Sequence, residues 1–267
     1  MKLVEEKHHF LQLSSLLKNI TTILGQKSKE FNSTEGLNLL ISTPIELENN
    51  GISIFISFTS AANGINPNNF LKKQRNRTYL SADYILLFDR ILQNAEVQNK
   101  ELFLALIEDS LDKDLEERMP GSEISLYNKR FSQGQIENYK KFQMLIERYV
   151  KLSEDPNIYK IPWKEILSFY SEQIDFNYIS PKLLQYILPS LDRETISNLL
   201  GEGIIKSWKK LPLPKEDKKE LKKYDITFYV PIVKGEFIFK EENRKGRATF
   251  VYDLQNKKVL NIEYKIN

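Results

Sequence analysis

The chain has 267 residues, 41% of them hydrophobic, with no cysteine, two histidines and a formal net charge of +3. That is enough apolar material for one large domain or two small ones without an external staple. The missing thiols exclude disulfides, zinc-thiolate sites, iron–sulfur clusters and cysteine nucleophiles, and a reducing, cytoplasmic setting is the expectation.

The first residues place Glu5, Glu6 and Lys7 where a signal peptide would begin its apolar region, which points away from export. The longest charge-free stretch, Asn49 to Leu71, could span a bilayer by length, but its six Asn, two Gly and one Pro read as strand and loop. No membrane partner is expected. Charge is unevenly spread: residues 201–267 hold 16 Lys and Arg against 10 Asp and Glu, so the tail is basic and the body faintly acidic. A dispersed excess of this size suits a solvated face as well as an anionic partner.

Taken in chain order, Val4, Phe10, Leu13, Leu16, Leu17, Ile20, Ile23 and Leu24 recur near every 3.6 residues and predict an amphipathic helix that stops at Gly25. Residues 26–36 offer little to bury and read as a mobile connection. Two apolar runs, Leu37–Leu47 and Ile52–Phe58, flank Glu48-Asn49-Asn50-Gly51 and predict a β-hairpin. A polar, Asn-rich loop follows over residues 59–78. Its length makes it either a functional loop or a disordered one.

Helical spacing then dominates to about Leu200. Ser81 and Asn99 are placed to cap two helices, Met119-Pro120-Gly121 ends that pair, and Ser132 with Gln135 has the spacing of a capping box ahead of Ile136, Tyr139, Phe142, Leu145, Ile146 and Tyr149. Pro162 and Pro181 suit first helical positions, and Gly201 suits the end of a helix over 192–200. After Gly203 comes a Lys-rich linker or short helix over 215–223. Four β-rich runs follow, at 226–233, 236–240, 248–253 and 259–266, with turn signals at Lys234-Gly235, Asn243–Gly246 and Gln255–Lys257. The short connections predict an antiparallel meander. The expected fold is α+β: a helical body with an N-terminal helix and β-hairpin, and a C-terminal antiparallel sheet of about four strands. The domain reading divides 1–203 from 204–267, with one continuous domain as its alternative; whether the early hairpin joins the late sheet stays open.

Candidate chemistry is sparse. His8 and His9 are adjacent, and neighbours on a helix diverge by about 100°, so they do not converge on a metal. No Gly-x-Ser-x-Gly elbow or phosphate-binding glycine loop is present. Acidic residues crowd at Glu108, Asp109, Asp112, Asp114, Glu116 and Glu117, and Glu108 and Asp112, four apart, could share one helical face as carboxylate ligands or catalytic groups. Lys113 and Arg118 lie among them as ion-pair partners, the more ordinary use of such a run. Two basic groups are candidate binding sites: Lys72, Lys73, Arg75 and Arg77 in the polar loop, and Arg244, Lys245 and Arg247 at a hairpin tip.

These observations point away from an enzyme and toward a protein-binding protein without cofactor or metal, of the toxin-neutralising, immunity type. The richness in Lys, Asn and Ile suggests a bacterium with an AT-rich genome. The alternatives are a metal-dependent phosphoester hydrolase using Glu108 and Asp112, and a nucleic-acid binder using both basic groups.

Overall fold

The structure is a computed structural model that describes residues 2–49, 52–74, 77–241 and 244–266, with side chains at all of these except 2–10, 12, 49, 52, 73, 74, 77–79, 241, 244, 245, 265 and 266. In chain order it runs α1 (Lys2–Gln26), α2 (Thr34–Ser42), β1 (Ile45–Asn49), β2 (Ile52–Ser60), β3 (Leu71–Gln74), β4 (Arg77–Leu80), α3 (Ala82–Asn94), α4 (Lys100–Leu111), α5 (Ile124–Tyr127) and α6 (Tyr139–Ser153). It continues through α7 (Trp163–Ile166), β5 (Ile174–Asp175), α8 (Pro181–Ile187), α9 (Arg193–Gly201), α10 (Lys215–Leu221), β6 (Ile226–Thr227), β7 (Ile232–Glu241), β8 (Arg244–Asp253) and β9 (Lys258–Ile266). With about 46% helix and a five-stranded antiparallel sheet, the fold is α+β.

The chain forms two compact units. Residues 1–62, 203–210 and 228–267 make the first, and residues 63–202 with 211–227 make the second. In the first, the sheet order is β1-β2-β7-β8-β9, so the early hairpin joins the late strands through β2 and β7, with Ile56 beside Phe237. The late part supplies three of the five strands. Lys234-Gly235, read as a turn, instead lies inside β7. Glycine is required there by a close approach: a Cβ would sit 2.3 Å from Cζ of Phe250 on β8. The hairpin turn itself, at Asn50 and Gly51, lies outside the described residues.

Alternation gives this sheet two different faces. Ile56, Phe58, Phe237, Phe239, Ala248 and Phe250 are buried on one, together with Leu13, Leu17 and Leu24 of α1. Gly246 is the point of closest approach, where a Cβ would meet Leu13 Cδ1 at 2.9 Å. The stretch read as a mobile connection and then strand is partly helical, because the Ser33 side chain accepts from the Gly36 N–H and starts α2, which ends ahead of Pro44.

The second unit is built around aromatic contacts. Phe88 of α3 stacks on Trp163 of α7 at 6.0 Å between centroids, and Phe142 of α6 meets the same indole at 5.0 Å. Phe103 of α4 packs edge-on against Phe142 and Tyr149. Asn99 caps α4 as expected, through the Leu102 N–H. The capping box assigned to Ser132 and Gln135 does not form: α6 begins at Tyr139, where the Asn138 side chain accepts from the Lys141 N–H. Ser132 Oγ and the Gln135 carbonyl instead receive the ammonium of Lys141, and Ile136 is buried in a loop. At the end of α9 the left-handed glycine is Gly203 (φ 93°), while Gly201 is the last helical residue.

Candidate interaction site

The carboxylates Glu108 and Asp112 come together on one guanidinium. Arg118 Nε lies 2.5 Å from Glu108 Oε1, and its Nη1 lies 2.5 Å from Asp112 Oδ2 and in contact with Asp109 Oδ1. Asp109, at the end of α4, has no solvent exposure and also accepts from Ser122 Oγ (2.5 Å) and the Arg118 N–H (3.2 Å). Burial would lower the Arg118 pKa, but hydrogen bonds to Asp109, Glu108 and Asp112 raise it further. Desolvation pushes the Asp112 carboxyl up, against the pull of Arg118. Such charge-assisted bonds stitch the end of α4 to the following loop. Among the described residues, no group of three or more His, Cys, Asp or Glu could hold a metal ion.

Of the first basic group, Lys72 is on β3, where its ammonium pairs with Asp225, which also accepts from the Tyr84 hydroxyl at 3.2 Å. Lys72 and Lys73 lie on β3 and Arg77 on β4, strands paired antiparallel, rather than in a loop; the side chains of Lys73 and Arg77, and all of Arg75, lie outside the described residues. Of the second group, Arg247 Nε pairs with Glu236 Oε1 at 2.8 Å across β7 and β8, and the side chains of Arg244 and Lys245 lie outside the described residues. The two groups belong to different units.

A cleft of about 900 Å³ in the second unit is lined by Asn66, Asn68, Asn69, Lys72, Asp112 and Glu172 among others. Its amides are engaged in holding the loop. Asn68 accepts from the Ile136 N–H at 2.7 Å and donates to the Ile136 carbonyl at 2.9 Å, standing in for a neighbouring strand. Asn66 and Asn69 donate to the carbonyls of Ser171 and Glu172. The Asn-rich segment is therefore an ordered wall, its side chains satisfying backbone groups that a loop would otherwise leave buried and unpaired.

The β1 edge of the first unit is an exposed surface with a distinct pattern. β1 pairs with β2 alone, and Ile45, Glu46, Leu47 and Glu48 are all exposed, Ile45 to 41% and Leu47 to 55%. The register places Glu46 beside Phe55 and Ile238, and Glu48 beside Ser53 and Lys240, on the sheet face opposite the core. Together these line an open groove of about 450 Å³. Ile45 and Leu47 continue the other face, in line with Ile56 and Phe237 and with Ile54 and Phe239. Among the described residues, neither Glu46 nor Glu48 makes an ion pair.

In three-dimensional form the chain is similar to one chain of the GspK-GspI-GspJ complex of the type 2 secretion system from enterotoxigenic Escherichia coli. The likeness has a TM-score of 0.58 at 12% sequence identity and covers 95% of this chain and 99% of that one. It is a likeness of fold. No protein-family model matches the sequence, and no curated protein matches it.

Sequence reasoning had absorbed β1 into a single run over 37–47 and so missed this edge. The signal was nonetheless present in Pro44, which breaks the preceding helix, and in the strict alternation of Ile45-Glu46-Leu47-Glu48. Among the described residues no helix is long and apolar enough to cross a membrane.

Proposed function

We propose that this chain is a non-catalytic subunit that binds other proteins within a secretion-type assembly. The observation that carries the reading is the fold likeness, over nearly the full length of both chains, to a component of a three-protein secretion-system complex. Its support within the chain is the exposed, amphipathic β1 edge, together with the engagement of Glu108 and Asp112 by Arg118. The narrower expectation of toxin neutralisation has no observation that favours it over assembly.

The test is pairwise co-expression with the products of adjacent genes, followed by size-exclusion chromatography with light scattering. The expected result is a stoichiometric complex with at least one of them. Elution of the chain alone in every pairing, or turnover of a phosphoester by the purified chain with Mg²⁺ or Mn²⁺, would overturn the reading.

A further inference from the structure

The geometry points to β1 as a docking strand for an extended segment of another protein in which Lys or Arg alternates with Val, Ile or Leu. This assignment rests on the protein-binding reading above and names the chemistry of what is bound. A sheet edge offers a row of unpaired backbone groups, and natural proteins usually blunt such an edge with a short strand, charged side chains (lysine above all), proline or a covering element. Here the edge carries two carboxylates and two large exposed apolar side chains, and among the described residues no strand lies beyond it.

The pattern of the bound segment follows from the pleat. A sixth strand added to β1 would set alternate side chains beside Ile45 and Leu47, extending the apolar face that already runs through Ile54, Ile56, Phe237 and Phe239. The intervening side chains would lie beside Glu46 and Glu48, where only a cation meets the charge. Among the described residues the one cation lining the groove, Lys240, is on β7, two strands and about 10 Å inward. Antiparallel pairing with a second copy of β1, centred on Leu47, would oppose Glu46 to Glu48 twice over, so the edge does not match itself.

Fluorescence anisotropy on the full chain tests this with three labelled heptapeptides: Lys-Val-Lys-Ile-Lys-Val-Lys, its counterpart with Glu for Lys, and a block isomer of the first with its four lysines together. The alternating lysine peptide is expected to bind, more weakly as salt is raised, and the block isomer at least about tenfold more weakly. The glutamate peptide should bind only to the E46K/E48K variant, which should lose the lysine peptide by about tenfold or more. Both positions are exposed, and an unchanged melting temperature shows that the variant is folded. Absence of binding, equal binding of the block isomer, or binding unaffected by E46K/E48K would overturn the assignment. So would concentration-dependent self-association abolished by E46K/E48K, because the occupant would then be a second copy. Co-expressed complexes that form with E46K/E48K as well as with the native chain would sink the edge while leaving the assembly reading intact; absence of any complex would sink the assembly reading by itself.

Discussion

The ring of Phe250 occupies the space a side chain would take at Gly235, with Cζ and Cε1 at 2.3 and 2.4 Å from a Cβ placed there. These residues are direct cross-strand partners on β7 and β8, so the contact is built into the register and cannot be relieved by a loop movement. Gly235→Ala should therefore destabilise the chain by about 1–3 kcal/mol, despite the better strand propensity of alanine. Chemical denaturation of the variant, alone and combined with Phe250→Leu, checks this; the second substitution should recover part of the loss.

Arg118→Met should cost about 3 kcal/mol or more, because it leaves Asp109 fully buried without a counter-charge. Adding Asp109→Asn should restore stability in part, which a urea series on the single and double variants would reveal.

Asp155 gives a pH-dependent prediction. Burial alone would raise its pKa, but the N–H groups of Gln98 and Asn157 and the Tyr149 hydroxyl all donate to its carboxylate, and the net shift is downward. A carboxyl held below its ordinary range stabilises the fold above that range, and the contribution disappears as pH falls through the folded-state value. Asp155→Asn should thus be less stable than the native chain by about 1–3 kcal/mol at neutral pH, with the gap narrowing below about pH 4. Denaturation at two pH values measures the difference.

Asn68→Ala removes two hydrogen bonds to the Ile136 backbone and leaves its N–H and carbonyl unpaired. A loss of about 1–3 kcal/mol is expected, with faster amide exchange at Ile136.

Because Arg118 already occupies Glu108 and Asp112, millimolar Mg²⁺ or Mn²⁺ should leave the melting temperature unchanged. An upward shift lost in Asp112→Ala would restore the hydrolase alternative.

What could be read from the sequence was local. The periodicity of α1, the Asn99 cap and the short turn before β9 depend on neighbours in the chain, and there the reading and the structure agree, whereas Arg244 to Gly246, read as part of a turn, already lie in β8. Gly235 misled because its reason lies across the sheet in Phe250, and Ser132 with Gln135 misled because Lys141 takes both oxygens while Asn138 caps the helix. The asparagines of residues 63–69 look like loop formers, yet their amides find partners about seventy to a hundred residues away, a distance no local pattern encodes. At the candidate site, the two carboxylates and the basic groups were visible as charges, but only the fold shows that Arg118, Asp225 and Glu236 engage several of them.

The order of the sheet has a consequence for synthesis. β2 borders β7, so after β1 and β2 leave the ribosome, the whole second unit must be translated before the strand that flanks β2 exists. At typical elongation rates that wait is on the order of ten seconds or more. Throughout it Ile54, Ile56 and Phe58 have β1 on one side but neither their second flanking strand nor their finished core, so a nascent chain stalled inside the second unit is the form most exposed to aggregation and most dependent on chaperones.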